Sequence, residues 1–156
     1  MKYFFPLLLA TFVISVWLGE SRDAIWEDLI WSGTVAIIAA VLSILMIKKK
    51  WVKIICAILT FVISALGLYL GEYSASRAFN DCAKNAENLR VALDVYHDNY
   101  GRYPKTISEL PTLPCRRFIR GSLLDYNLTE KGYSLEFSDW LITFSASESD
   151  PFIAHK

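Results

Sequence analysis

The chain has 156 residues, 54% of them hydrophobic and 21% charged, and its 16 Lys+Arg balance its 16 Asp+Glu. Zero formal net charge argues against a nucleic-acid partner, and three cysteines with two histidines, in no C-x-x-C spacing, argue against a metal centre. The apolar residues are gathered in long uncharged runs, which a soluble domain of this size avoids.

The first run, Phe4 to Leu18, carries Pro6 in its opening turn, where proline costs a helix little. A cleaved signal peptide is the competing reading. Its charged region would be Lys2 alone, however, and Trp17-Leu18-Gly19-Glu20-Ser21 lacks a small-x-small cleavage site. The second run, Leu29 to Ile47, contains no charge, and the third, Val52 to Leu70, contains only Lys53 near its start. Both are long enough to cross roughly 30 Å of hydrocarbon as helices, so three transmembrane helices are expected. No ionisable residue lies deep in the second or third run, which argues against a transporter or proton relay.

Lys48, Lys49, Lys50 and Lys53 crowd the link between the second and third runs. The link before the second (Glu20, Arg22, Asp23, Glu27, Asp28) is net acidic. The positive-inside rule then places the lysine link and the amino terminus in the cytoplasm and everything after Leu70 outside, with Trp26, Trp31 and Trp51 as interface anchors. The expected location is a bacterial inner membrane with the carboxyl-terminal domain in the periplasm. Cys56 falls within the third run, whereas Cys82 and Cys115 fall in this oxidising space. A disulfide between them would close about 33 residues and contribute about 3–4 kcal/mol by loop entropy. Two buried free thiols are the alternative.

After Leu70 the hydrophobicity falls but the helical period persists. Phe79, Cys82, Ala86, Leu89, Leu93, Tyr96 and Tyr100 draw one apolar stripe, and no proline interrupts residues 52 to 103. One helix of about 48 residues is expected, its second half packed on a sheet of its own domain rather than on a coiled-coil partner. Asn99-Tyr100-Gly101 supplies a left-handed cap, Pro104 stops the helix, and Thr106-Ile107-Ser108-Glu109 reads as a capping box opening a short helix. Leu124, Tyr126 and Leu128, then Tyr133, Leu135 and Phe137, then Trp140, Ile142 and Phe144 alternate with polar residues. With turns at Glu130-Lys131-Gly132 and Ser138-Asp139, these predict a three-stranded antiparallel meander. Ser145 to Lys156 reads as a polar tail.

A spanning helix that runs into an amphipathic helix, ends in "DNYGRYP" and leads through a capped turn to a small sheet resembles the type IV pilin-like proteins. Among these it is most similar to the major pseudopilin of type II secretion systems. The resemblance covers about residues 52 to 145, and Asp98, Gly101, Tyr103 and Pro104 match the family's helix-ending pattern. It implies an α+β fold for a pilin-like region at 52–145; a two-helix transmembrane hairpin at 1–51, a departure from the family, precedes it and a polar tail at 146–156 follows. Family members carry a basic leader, a Gly-Phe-Thr-like cleavage site and a glutamate five residues into the apolar run. Here Lys48-Lys49-Lys50-Trp51-Val52-Lys53 precedes the run, with neither site nor glutamate. The pseudopilin's calcium loop has no clear counterpart between Gly121 and Ser145, which leaves calcium open.

These features point to a structural or interaction protein that displays a pilin-like domain, in contact with membrane lipid and with other envelope, secretion or pilus proteins. It would not be a polymerising subunit. The alternative is a membrane-anchored periplasmic sensor or ligand-binding regulatory module. An enzyme is not expected, and no catalytic residue, cofactor or metal is assigned. His97 and Asp98 are helix neighbours about 100° apart and so form no dyad. Cys115 beside Arg116 and Arg117 fits a disulfide better than an activated thiol. Arg116, Arg117, Phe118 and Arg120 form a possible contact patch for an acidic partner or lipid headgroups, against the plainer reading of a solvated loop.

Overall fold

The computed structural model describes residues 4–21, 25–46, 49–110, 115–129, 132–139 and 141–155. Arg22, Asp23, Lys48, the turn residues Glu130 and Lys131, Trp140 and Lys156 lie outside them, as do the side chains of Trp26 and Asp28. The described elements are α1 (Phe4–Gly19), α2 (Ile25–Met46), α3 (Lys50–Tyr100), a 3₁₀ turn η1 (Ile107–Glu109) and strands β1 (Asp125–Thr129), β2 (Gly132–Ser138), β3 (Thr143–Ser147) and β4 (Ile153–His155). The chain divides into two compact units, Met1–Ala75 and Ser76–Lys156.

In the first unit each of the three apolar runs is a helix, but among the described residues only α3 is long and apolar enough to cross a membrane. The expectation of three spans is thereby corrected to one candidate among the described residues, by length and composition. The 16 residues of α1 reach about 24 Å at 1.5 Å per residue, short of the hydrocarbon thickness. In α2 the apolar stretch is Leu29–Leu42, after an opening turn that contains Glu27 and Asp28. The helices meet on small side chains. A Cβ at Gly71 would collide with the Val16 carbonyl, and one at Gly19 with the Leu68 carbonyl, so α1 and α3 approach backbone to backbone. The hydroxyls of Ser15 and Ser64 lie 2.9 Å apart and those of Ser32 and Ser64 3.1 Å apart, joining all three helices. Along α3 the buried positions are Cys56, Thr60, Ser64, Gly67, Gly71 and Ser74, while Ile54, Ile55, Ile58, Leu59, Phe61, Val62 and Leu66 are exposed.

The second unit is built the other way round. Ala78, Cys82, Leu89 and Leu93 on α3 are buried against Tyr133, Leu135 and Phe137 of β2 and Ala146 of β3, with Phe79, Ala86 and Tyr96 packed at the margin. The stripe thus holds from Phe79 to Tyr96, but Tyr100 leaves it and is exposed, since the helix ends there. Phe79 meets Phe137 edge-on with centroids 5.6 Å apart. The Cys82–Cys115 disulfide is formed, with Cα atoms 5.0 Å apart, and both cysteines belong to the core.

The sheet has four strands in the order β1-β2-β3-β4, all antiparallel, one more than the sequence predicts. The extra strand comes from the segment read as a tail. Ser147 and Asp150 close a turn, with the Ser147 N–H donating to the Asp150 carbonyl at 3.1 Å, and Ile153–His155 returns along β3. Phe152 packs on Phe137, with centroids 5.5 Å apart, and fixes this return. The third strand starts at Thr143 rather than Trp140, because Asp139 Oδ1 accepts the N–H groups of Leu141 and Ile142 at 2.8 and 2.7 Å. That Asx turn takes up the residues expected to open the strand. Phe144 and Ala146 then face the core, paired with Phe137 and Leu135. Leu128, expected on the core face, is exposed: it pairs with Tyr133 on the outermost strand, where a groove opens to solvent.

Candidate functional site

Two places bring together residues singled out by the sequence. The first is the corner where α3 ends. Gly101 takes the left-handed conformation (φ +65°) and donates its N–H to the His97 carbonyl at 2.7 Å, which closes the last turn. Tyr103 and buried Pro104 follow. The Tyr126 hydroxyl on β1 donates to the Pro104 carbonyl at 2.6 Å, so the chain reversal is tied to the sheet. Tyr103 stacks on His97 (4.6 Å) and meets Tyr133 edge-on (5.0 Å).

The expected short helix is a three-residue 3₁₀ turn with Thr106 at its N-cap. Its capping glutamate does more than cap. Glu109 Oε1 accepts the N–H groups of Lys105 (2.9 Å) and Thr106 (3.2 Å), Oε2 accepts the Tyr96 hydroxyl (2.7 Å), and Arg102 approaches to 3.7 Å. The Tyr96 hydroxyl, together with the two N–H groups and the guanidinium, holds the Glu109 carboxyl below its usual range, against a smaller opposing effect of burial. Burial pushes the Tyr126 phenol up to about 12, and burial with the Glu148 carboxylate beside it pushes Tyr103 well above the usual phenol range.

Shallow grooves flank this corner. One, of about 380 Å³, is lined by His97, Arg102, Tyr103, Leu128, Thr129, Gly132 and Glu148; the other, of about 430 Å³, runs along β1 beside Lys105, Thr106 and Ile107. His97 Nδ1 lies 3.9 Å from Asp98 Oδ1, beyond hydrogen-bond reach, and both side chains are open to solvent. Asp98 itself is exposed and enters none of the corner's hydrogen bonds described above. The corner's polar atoms are engaged in holding the reversal.

The second place is the loop after the disulfide. Arg116 and Ser122 form a β-bridge, the Arg117 N–H donates to the Gly121 carbonyl and the Leu123 N–H to the Cys115 carbonyl, both at 2.8 Å. Cys115 and Gly121 adopt positive φ (67° and 78°), so the segment turns tightly at each side. The four patch residues part company here. Arg117, 8% exposed, points inward and its guanidinium donates to the carbonyls of Arg120 (3.4 Å) and Ser122 (2.9 Å). Arg116 and Phe118 are exposed and Arg120 half-exposed. Arg117 is therefore a brace of the loop and not part of a contact surface.

The sequence reading missed the small-residue face shared by α1 and α3, and with it Glu20, which is fully buried and accepts the Ser74 hydroxyl at 2.7 Å. The signal was present: Thr11, Ser15 and Gly19 on one helix, and Thr60, Ser64, Gly67, Gly71 and Ser74 on the other, recur at steps of three and four. Among the described residues, no three His, Cys, Asp or Glu side chains gather in a way that would hold a metal ion. Compared with protein-family models, with curated proteins and with solved structures, the chain matches none.

Proposed function

We propose that the protein is a permanent resident of a bacterial inner membrane that presents a pilin-like domain in the periplasm, as a structural or docking component of a secretion or pilus-type assembly. The carrying observation is the inversion of burial along α3. Up to Ser74 the buried positions are small or hydroxyl-bearing (Cys56, Thr60, Ser64, Gly67, Gly71 and Ser74) and many large aliphatic side chains are exposed. From Ala78 onward the buried positions include Leu89 and Leu93, with Val91 and Val95 left exposed beside polar neighbours. Exposed Ile, Leu, Val and Phe around a small-residue helix interface suit lipid as the solvent, and the second pattern suits water. The disulfide supports an oxidising compartment for the second unit.

In this reading the lysine link at Lys49, Lys50 and Lys53 is cytoplasmic, α1 and α2 are embedded beside α3, and the domain stays tethered. Withdrawing α3 into a filament would draw both companion helices, held to it at Gly19, Gly71 and the Ser15–Ser64–Ser32 hydroxyls, out of lipid as well. Intact mass of the protein from native membranes, together with fractionation of sheared surface filaments, tests this. The expected result is one uncut species confined to the membrane fraction, co-isolating with filament-assembly proteins. A species beginning near residues 50 to 54, or protein among the sheared filaments, would make the chain a pilin precursor.

A further inference from the structure

We propose that the loop from Cys115 to Leu123 is a membrane-surface contact, which seats Phe118 and Ile119 among the headgroups of anionic phospholipid. The loop is rigid. Its base is bonded to α3 through Cys82, the two backbone hydrogen bonds of the Arg116–Ser122 bridge close it, and the Arg117 guanidinium braces it from within. A solvated turn of this size usually carries Gly, Asn, Asp, Ser or Pro at its tip. Here the tip is Phe118-Ile119, 57% and 44% exposed, while a charged residue, Arg117, is turned inward. Arg116 and Arg120 flank the apolar pair, and no acidic residue lies between Cys115 and Leu124. An aromatic and an aliphatic side chain with cationic neighbours is the composition that inserts shallowly into an anionic interface, the ring among the acyl–headgroup boundary and the guanidinium groups on phosphate.

An apolar pair set between two guanidinium groups favours lipid over an acidic protein. Cys82 comes twelve residues after Leu70, the last residue of the apolar run, which is roughly 18 Å of helix. Tyr69 and Tyr73, both exposed, mark where an aromatic belt would lie on that helix. The disulfide ties the loop to α3 at Cys82.

The inference rests on the membrane reading of α3, and its test separates the two. Full-length protein with the photoreactive p-benzoylphenylalanine in place of Phe118 is reconstituted into nanodiscs of phosphatidylcholine alone or with about one third phosphatidylglycerol, irradiated and analysed by mass spectrometry. A second protein carries the probe in place of Val95, which is exposed farther along α3. Phospholipid adducts at position 118 and none at 95 are expected, with yields several-fold higher in the anionic discs. Adding Arg116→Glu and Arg120→Glu should lower the anionic-disc yield roughly tenfold. Equal yields in the two discs, equal labelling at position 95, no lipid adduct, or adducts in native membranes on protein alone would each overturn the proposal; the last would replace lipid by an acidic protein. Failure of the chain to enter discs at all would overturn the membrane reading with it.

Discussion

The two stretches of α3 share one helix and one period and bury different kinds of side chain. Between Lys50 and Ala75 the side facing other helices is Cys56, Thr60, Ser64, Gly67, Gly71 and Ser74, and the open side is aliphatic. Between Ser76 and Tyr100 the side facing the sheet is Ala78, Cys82, Leu89 and Leu93, and the open side is mostly polar (Asn80, Lys84, Asn88 and Asp94), with Val91 and Val95 among them. A protein in water gains stability by removing apolar area from solvent, roughly 25 cal/mol per Å², so its large residues go inside. In hydrocarbon that gain vanishes. Close backbone approach and interhelical hydrogen bonds then hold helices together, and small residues go inside.

The largest expected effect contrasts two leucines of this helix. Leu93 is fully buried in the second unit and Leu66 is 53% exposed in the first. Leu93→Ala should cost about 2–5 kcal/mol, through lost burial and the cavity left among Tyr133, Leu135 and Phe137. Leu66→Ala should stay within about 0.5 kcal/mol, as a substitution that leaves no cavity. Denaturant unfolding in lipid bicelles measures both. A cost at Leu66 equal to that at Leu93 would mean that the aliphatic face is packed on protein, and the contrast between the stretches would collapse.

A smaller effect sharpens the same comparison from the helix-packing side. Gly71→Leu places a side chain where the Val16 carbonyl and the Gly19 backbone already lie. Overpacking of this kind typically costs about 1–3 kcal/mol. The loss should be confined to the first unit, with the Cys82–Cys115 bond still formed in the variant. Limited proteolysis with non-reducing peptide mapping distinguishes this from a general unfolding, in which the linked peptide pair would also disappear.

How much of this was legible in the sequence depended on whether the signal was periodic or local. The stripe from Phe79 to Tyr96, the helix end at Gly101 and the disulfide could be read, because helical spacing, a glycine shortly before Pro104 and two cysteines in the same expected external domain each point to a structure. The fourth strand could not. Ser145 to Asp150 is polar because it combines the half-buried serines at the end of β3 with a serine-rich turn, and the residue that anchors the return, Phe152, has no partner within its own segment. The start of β3 was misplaced for a related reason, since one side chain, Asp139, accepts the N–H groups of Leu141 and Ile142. In the loop, the inward turn of Arg117 depends on carbonyls of Arg120 and Ser122 and is invisible to composition. The Gly and Ser face of α3 was overlooked because hydropathy weighs large residues and the information lay in the small ones.

The smallest effect concerns the corner, and it uses pH to distinguish the units. Tyr126 holds the chain reversal by donating to the Pro104 carbonyl, and burial raises its phenol from the ordinary 10 to about 12. The folded state therefore favours the neutral phenol. That contribution is fully present below pH 10 and is lost as pH rises through about 12, because the unfolded chain ionises first. Tyr103, raised in the same direction by burial, adds to the loss. In the first unit Tyr69 and Tyr73 are exposed. Alkaline softening should accordingly begin in the second unit, leaving α1 and α3 packed. Tyr126→Phe should cost about 1 kcal/mol at neutral pH, for the lost hydrogen bond, and should make the decline between pH 10 and 12 shallower without abolishing it. Urea unfolding at about pH 8 and about pH 11, followed by hydrogen exchange of the two units separately, reads both changes. A decline of unchanged steepness in the Tyr126→Phe variant, or exchange that rises first in residues 50–75, would show that the tyrosine corner is not what alkali attacks.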